Sequence, residues 1–484
     1  MRKILFSHSY FLRFDPKQWA TAQPYAPLGT LYAAALMREH GYDIALFDTM
    51  FEKYPASVSA ALEYHNPDFF VIYDDGFNYL TKMCLTNMRD AAYEMIKLAK
   101  KQGCTVIVSS SDSTDHYQQY LDEGADFILI GEAEITLLEL TRTLNQKEVV
   151  DTVPGLAFKK NGTVVKTTPR PVIRDLDMLP FPAWDLVDLE PYRKMWMKSS
   201  GYFSMNMGTT RGCPFKCNWC AKPIYGNRYN SRSPANVVAE LKMLQKQYGF
   251  DHIWFCDDIF GLKPGWVSEF ATLVQEEQLQ FRFKIQSRAD LLVQENYIQS
   301  LARAGCDTAW MGAESGSQRI LDAMDKGTSV QQIYQATRLL KKHGIRPSFF
   351  IQFGYIGETK EDIEETIHLI NELLPADIGI SVSYPLPGTK FFERVKNELG
   401  QKSNWTDSDE LKLMFKNTYP AEFYKQLHRY VHKNYRKHLA MNHIRQLIKN
   451  PEQASLKSLK KAASAAYYLP ATFLARKKLD GIKA

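Results

Sequence analysis

With 484 residues, 45% apolar and 24% charged, and with 26 Gly and 22 Pro, the chain lies inside the globular range and is too long for a single core. That composition excludes a collagen, a coiled coil and a mostly disordered chain. The formal charge of +6 is unevenly spread: residues 401–484 hold 17 Lys/Arg against 6 Asp/Glu, a net +11, which leaves −5 for the first 400.

The opening MRKILFSHSYF has a basic start but only a short apolar run and no small-residue cleavage site, so it reads as a first β-strand rather than a signal peptide. Residues 1–150 alternate short apolar runs at 4–6, 44–47, 69–73, 106–108 and 127–130 with helical patterns such as 28–40 and 88–102. Strands separated by helix-length segments predict an α/β domain with a parallel, doubly wound, Rossmann-like sheet, whose ligands sit beyond the carboxyl ends of its strands. Residues 151–198 are rich in Pro and turn formers, among them Asn161-Gly162-Thr163 and Pro180-Phe181-Pro182, and read as a linker with a small hairpin near 155–165. A second βα series fills residues 199–398, with strands expected at 203–208, 252–255, 281–286, 308–312, 347–353 and 378–382. Six such units predict a partial (β/α)6 barrel with its chemistry at the carboxyl ends of the strands. Residues 399–484 are basic, helical in pattern and rich in aromatics such as Phe423, Tyr424, Tyr430 and Tyr435. The least polar stretch, 462–475, is broken by Ser464, Pro470 and Thr472 and falls short of the about 20 apolar residues of a membrane-spanning helix. A cytoplasmic protein is expected.

Seven cysteines in an unexported chain of this length are too few for a disulfide scaffold and are weighed as ligands or buried thiols. Cys213, Cys217 and Cys220 stand in a C-x3-C-x2-C pattern just after the predicted strand 203–208. Three thiolates on one tight loop suit a soft metal centre. A structural zinc would take four protein ligands in separated knuckles, and no matching Cys/His pair lies nearby, the nearest other cysteine being Cys256. A [4Fe–4S] cluster held by three cysteines instead leaves one iron open to a non-protein ligand, which makes it reactive. Cys84, Cys104 and Cys306 read as plain buried thiols. Cys256, at a strand end, is open between a buried and a reactive role.

On this motif, with Trp219 in its aromatic place, the chain resembles the radical S-adenosylmethionine (SAM) superfamily. The resemblance implies a [4Fe–4S] cluster on Cys213, Cys217 and Cys220 whose open iron is chelated by SAM, and cleavage of SAM to methionine and a 5′-deoxyadenosyl radical. It also implies SAM contacts from Phe215 and Trp219, from Asp257 and Asp258 in Phe255-Cys256-Asp257-Asp258, and from Gln286 and Arg288 in Gln286-Ser287-Arg288. Glu314 in Gly312-Ala313-Glu314, Ile356 in Gly354-Tyr355-Ile356-Gly357 and Pro385 in Tyr384-Pro385-Leu386-Pro387 complete the implied set.

Residues 1–150 resemble the cobalamin-binding domain of the subclass that carries both cofactors, through Pro27-Leu28-Gly29-Thr30 with Gly41-Tyr42, and through Glu123-Gly124-Ala125-Asp126 leading into Ile130-Gly131-Glu132-Ala133-Glu134. That resemblance implies cobalamin contacts from Ser7, Tyr73, Asp74, Ser109, Ser110, Gly131 and Glu132. The chain departs from the pattern twice. It has no Asp-x-His-x-x-Gly segment to give cobalt an imidazole, and Ser109-Ser110-Ser111-Asp112-Ser113 stands where relatives carry a Gly-Gly-Pro-His-like loop. Cobalamin bound without a protein imidazole, and a cobalamin-like fold kept as scaffold, are both open.

Two reactions are open on this resemblance. One is methylation or another C–H functionalisation of a small, lipid-like metabolite. The other is oxidative ring formation, as in the anaerobic magnesium-protoporphyrin monomethyl ester cyclase group that the domain order resembles. A non-catalytic cobalamin or iron–sulfur sensor is the alternative of another class. The chemistry implies an electron donor such as flavodoxin or ferredoxin. No nucleic-acid motif is present beyond charge. The basic C-terminal region, with Tyr467, Tyr468, Leu469, Phe473 and Leu474, allows peripheral contact with an anionic membrane.

Overall fold

The computed structural model describes residues 2–482 apart from 78, 221–224, 401 and 403. The chain divides into two compact units. The first comprises Met1–Phe215, Ala221–Ile285 and Asn404–Glu410; the second comprises Lys216–Cys220, Gln286–Ser403 and Leu411–Ala484.

In the first unit β1 (Lys3–Ser7), β2 (Asp43–Phe47), β3 (Phe69–Tyr73), β4 (Thr105–Ser109) and β5 (Phe127–Leu129) pair in parallel in the order β2-β1-β3-β4-β5. The order reverses between β1 and β3, which opens a crevice at their carboxyl ends. Strand β3 reads Phe-Phe-Val-Ile-Tyr and is buried along its whole length. It needs no polar face because both sides of the sheet are covered. Phe69, Val71 and Tyr73 pack with Ala33, Ala34 and Met37 of the helix Leu28–Glu39, while Phe70 and Ile72 pack with Ala91, Ala92 and Met95 of the helix Thr86–Lys101. The alternation follows from the two-residue repeat of a strand.

The segment expected to be a linker is built into this sheet. Strands β6 (Leu156–Lys160) and β7 (Thr163–Lys166) form the expected hairpin, and β6 pairs antiparallel with β5, so the sheet has seven strands. Leu156, Ala157 and Phe158 are buried by that pairing, an attachment that the turn residues alone do not announce. A helix follows at Leu189–Ser200, capped by the Asp188 carboxylate and ended by Gly201 in the left-handed region.

The second βα series forms one sheet in the order β8 (Ser204–Met207), β11 (His252–Phe255), β12 (Arg282–Ser287), β13 (Cys306–Glu314), β14 (Arg346–Phe353) and β15 (Asp377–Val382); a two-stranded ribbon of β9 (Thr210–Arg211) and β10 (Asn230–Ser231) stands apart. Pairing is parallel from β8 through β11 to β12 and from β13 through β14 to β15. The intervening helices carry the start signals their sequences promise. Ser233 caps Pro234–Gln247, which has Pro at its first position, and Ser329 and Thr359 build capping boxes with Gln332 and Asp362.

Beyond the barrel strands, residues 404–410 belong to the first unit, where the Trp405 carbonyl accepts from Thr86 N at 2.9 Å and Ser408 N and Oγ donate to Asp15. The helical region therefore begins later than its pattern suggests, with Ala421–Lys449, followed by Leu456–Ala463 and Ala465–Asp480. Acidic turn formers at 407–410 and Pro420 keep the intervening segment out of helix.

Candidate active site

The cysteine loop leaves the short strand β9, and its entry is fixed within the first unit. Gly212 holds φ +83°, and a Cβ there would run into the Arg228 carbonyl oxygen, so only glycine suits this turn. The carboxylate of Asp257, just beyond β11, accepts from Thr209 N at 2.7 Å, Thr209 Oγ1 at 2.5 Å and Thr210 N at 2.9 Å. Burial pushes Asp257 up to about 6 against those hydrogen bonds. Its neighbour Asp258 pairs with Lys82 at 2.7 Å. Asp257 thus acts on the chain leading into the loop, and Asp258 is already engaged by a lysine.

Arg211, immediately before Gly212, was not singled out by its sequence. It is fully enclosed, with Nη1 2.5 Å from Glu132 Oε1 and Nη2 2.7 Å from Glu134 Oε1, among the rings of Tyr32, Phe77 and Tyr225. Burial alone would disfavour its charge, but Glu134, Tyr225 and Glu132 outweigh it, and Arg211 stays protonated. Burial pushes Glu132 up; Arg211 opposes the shift and Glu134 adds to it. One cation is shared between two buried carboxylates, and it ties the loop after β5 to the root of the cysteine loop.

Within the second unit, Asn218 anchors the middle of the loop. Its backbone N donates to Met324 O at 3.0 Å, its amide donates to Ala323 O at 2.8 Å, and its Oδ1 accepts from Tyr355 Oη at 2.8 Å. Next to it, Arg288 Nη1 lies 3.9 Å from Cys217 Sγ while the same guanidinium binds Asp290 and the Lys326 carbonyl. Lys326 Nζ, itself buried, pairs with Glu314 at 2.8 Å and stands 5.9 Å from the Trp219 ring centre. Burial would strip Lys326 of its proton, but Glu314 and the Cys217 sulfur outweigh it and raise its pKa. Glu314 sits at φ +59° where β13 shifts register against β14, and a Cβ on Gly312 would press on both the Glu314 carboxylate and the Lys326 ammonium. Trp219 Nε1, Ser287 Oγ and Glu358 Oε1 are buried polar atoms of this unit with no hydrogen-bond partner among the described residues.

Of the other positions expected to meet SAM, Phe215 and Gln286 are half-buried, Pro385 is buried and Ile356 is exposed on its turn. Cys213, Cys217 and Cys220 are all partly exposed, and none of the seven cysteines is in a disulfide. No group of three or more His, Cys, Asp or Glu among the described residues is arranged around a single ion. The donor chemistry suits an iron–sulfur cluster: three accessible soft thiols, with a guanidinium and an ammonium to offset negative charge near Cys217. Cys256 turns inward, is held 3.3 Å from the Met207 carbonyl and has its thiol pushed well up by burial, the signature of an inert thiol. Cys84, Cys104 and Cys306 are buried as expected.

At the crevice between β1 and β3, side chains expected to meet cobalamin are bonded to the protein itself. Asp74 accepts from Ser9 N at 2.6 Å and Ser9 Oγ at 2.8 Å, and Ser7 Oγ points to the His8 carbonyl. Ser110 exchanges capping-box hydrogen bonds with Ser113, and Glu132 is taken by Arg211. Tyr73 and Ser109 are buried; Gly131, at φ +78°, is half-buried. The His8 ring is enclosed by Asp48 at 2.8 Å and by Thr49. Asp75 Oδ2, beyond β3, and Glu134 Oε2, beyond β5, are buried with no hydrogen-bond partner among the described residues, so these loops offer a large ligand two carboxylate oxygens besides backbone and shape.

Comparisons with known proteins agree with this geometry. Residues 207–370 match the model of the radical SAM superfamily. That segment, about a third of the chain, is a radical SAM domain, and the protein is an enzyme. An uncharacterized methyltransferase of Pyrococcus horikoshii is 29% identical over 78% of this chain and 80% of its own length. An anaerobic magnesium-protoporphyrin IX monomethyl ester cyclase of Synechocystis is 26% identical over 66% of this chain and 62% of its own length. In three dimensions the cobalamin-dependent radical enzyme OxsB, solved with aqua-cobalamin and SAM bound, superposes with a TM-score of 0.75 at 17% identity, over 98% of this chain and 72% of its own. The fold is thus the α/β arrangement expected: a Rossmann-like domain ahead of a half-barrel.

Proposed function

We propose that this chain is a cobalamin-dependent radical SAM methylase acting on an unactivated carbon of a small, lipid-like metabolite. The observation that carries the reading is the C-x3-C-x2-C loop that leaves the short strand β9, with Arg288 and Lys326 near its second thiol. Cys213, Cys217 and Cys220 would hold the cluster, and residues 1–150 would hold cobalamin at the carboxyl edge of their sheet. Bound there, the cluster supplies a low-potential electron to SAM and cobalamin supplies a methyl carrier.

The protein's own contribution is placement and electrostatics. Lys326 and Arg288 offset thiolate charge. Trp219 Nε1, Ser287 Oγ and Glu358 Oε1 offer hydrogen bonds to a polar ligand such as SAM. Phe215, Gln286, Glu314, Ile356 and Pro385 are the remaining candidate SAM contacts. We assign Asp257 to positioning the loop through Thr209 and Thr210. The electron donor would be a flavodoxin or ferredoxin, and the enzyme would work in the cytoplasm with its basic C-terminal region on a membrane. No helix among the described residues is long and apolar enough to cross one. Oxidative ring formation is the second reading, favoured by the cyclase relative.

The test is anaerobic reconstitution with iron, sulfide and hydroxocobalamin, followed by reductant and methyl-labelled SAM. Formation of 5′-deoxyadenosine together with labelled methylcobalamin supports the methylase. Deoxyadenosine with corrinoid bound but no methyl transfer points to the ring-forming reaction, and deoxyadenosine without corrinoid uptake to a cobalamin-free one.

A further inference from the structure

The last two helices present an apolar face that the protein does not use. In Ala465–Asp480, Ala465, Thr472, Ala475 and Leu479 are buried, and Gln426 donates to the Ala475 carbonyl at 3.0 Å; these residues seat the helix on Ala421–Lys449. Tyr468 also turns that way, its hydroxyl 3.2 Å from Arg436 Nη1. At 100° per residue the opposite side gathers Ala466, Tyr467, Pro470, Phe473 and Leu474, with Leu469 on the flank. Tyr467 is 62% exposed, Phe473 70% and Leu474 62%. The preceding helix Leu456–Ala463 adds Leu456 at 79% and Leu459 at 50%. An exposed leucine or phenylalanine alone means little, but successive helices that each carry several mark an interaction surface.

The charge around this face selects the partner. Residues 445–480 hold eight Lys/Arg (Arg445, Lys449, Lys457, Lys460, Lys461, Arg476, Lys477 and Lys478) against Glu452 and Asp480. Lys460, Lys461, Lys477 and Lys478 are exposed on the same two helices as the apolar residues. A second copy would meet a like-charged rim, whereas an anionic bilayer takes bulky apolar side chains at its acyl boundary and lysines at its headgroups. We propose that these two helices dock the protein on the surface of an anionic membrane, with Leu456, Leu459, Phe473 and Leu474 inserted and the lysines against lipid phosphates. Docking stands on this surface alone and does not depend on the reaction proposed above.

The experiment uses the full chain with vesicles of phosphatidylcholine alone or with about one third phosphatidylglycerol. Co-sedimentation is expected with the anionic vesicles only and should weaken with added salt. The double variant Phe473→Glu/Leu474→Glu, at two exposed positions, should lose binding at least about tenfold with an unchanged melting temperature. Lys460→Gln/Lys461→Gln should weaken it roughly tenfold. Equal binding to neutral and anionic vesicles, unchanged binding by the Glu variant, or a lipid-free dimer that this variant dissociates would each overturn the proposal.

Discussion

Two sets of strand-end loops, one at the carboxyl edge of the N-terminal sheet and one in the second unit, differ in the charge they set around their open polar atoms. In the first, Asp74 is spent on Ser9, Ser110 on Ser113 and Glu132 on Arg211, so the polar residues tie loops to loops. In the second, Trp219, Ser287 and Glu358 keep buried polar atoms without a partner among the described residues, and two cations stand near Cys217. Unpaired buried polar atoms cost roughly 1–3 kcal/mol each, so a fold retains them where something else completes them. The difference is one of charge: the first edge keeps carboxylate oxygens such as Asp75 Oδ2 and Glu134 Oε2 without a partner among the described residues, whereas the second sets cations beside a thiol.

The sharpest way to break that contrast is Cys217→Ala. Loss of one thiol should abolish the cluster's visible absorbance and lower SAM cleavage roughly a thousandfold or more, while corrinoid uptake by the N-terminal domain is unchanged. Next in size is Arg211→Met, which strands Glu132 and Glu134 without their cation. It should cost about 3–5 kcal/mol in denaturant unfolding, and adding Glu132→Gln should recover part of that.

A smaller effect separates the two edges by pH. Burial pushes Glu358 up to about 8 against the hydrogen bond from Gly354 N. A carboxyl whose folded pKa is raised favours the folded state while protonated, and that advantage disappears as pH rises through 8. Unfolding measured from pH 7 to 9 should therefore show stability falling by roughly 1 kcal/mol from this residue, and Glu358→Gln should flatten the slope. Smallest is Ser110→Ala, which removes one side of a capping box. It should cost about 1 kcal/mol and leave corrinoid affinity nearly unchanged, since the Ser110 hydroxyl is already turned to Ser113. A large drop in affinity would make that hydroxyl a ligand contact and erase the distinction between the edges.

Much of this was legible in the residues, because βα alternation shows where strands begin and end. The run at 252–255 and the apolar run at 69–73 became β11 and β3 at those positions. The hairpin at 156–166 was visible from its turn, but its pairing with β5 is long-range and leaves no local signal. The motif cysteines were found by spacing alone. Arg211 and Lys326 were missed for one reason: a lone basic residue beside a turn usually belongs to the surface, and only the fold shows that both are buried against carboxylates. Glu132 and Glu134, two acids close together after a strand with no cation nearby in sequence, were the available hint. On the C-terminal helix, Tyr467 and Tyr468 differ in exposure, with only Tyr468 reaching Arg436 although their rings meet edge to face at 5.0 Å, a difference their adjacency in sequence does not announce.

The turn at Gly212 and the clasp of Asn218 on Met324 and Ala323 hold with nothing but protein atoms. Because these supports are a glycine turn and hydrogen bonds rather than metal bonds, cluster delivery should be closer to filling a mould than to nucleating a fold. Chelation should therefore leave the far-ultraviolet signature of this protein nearly untouched, where a zinc finger would melt.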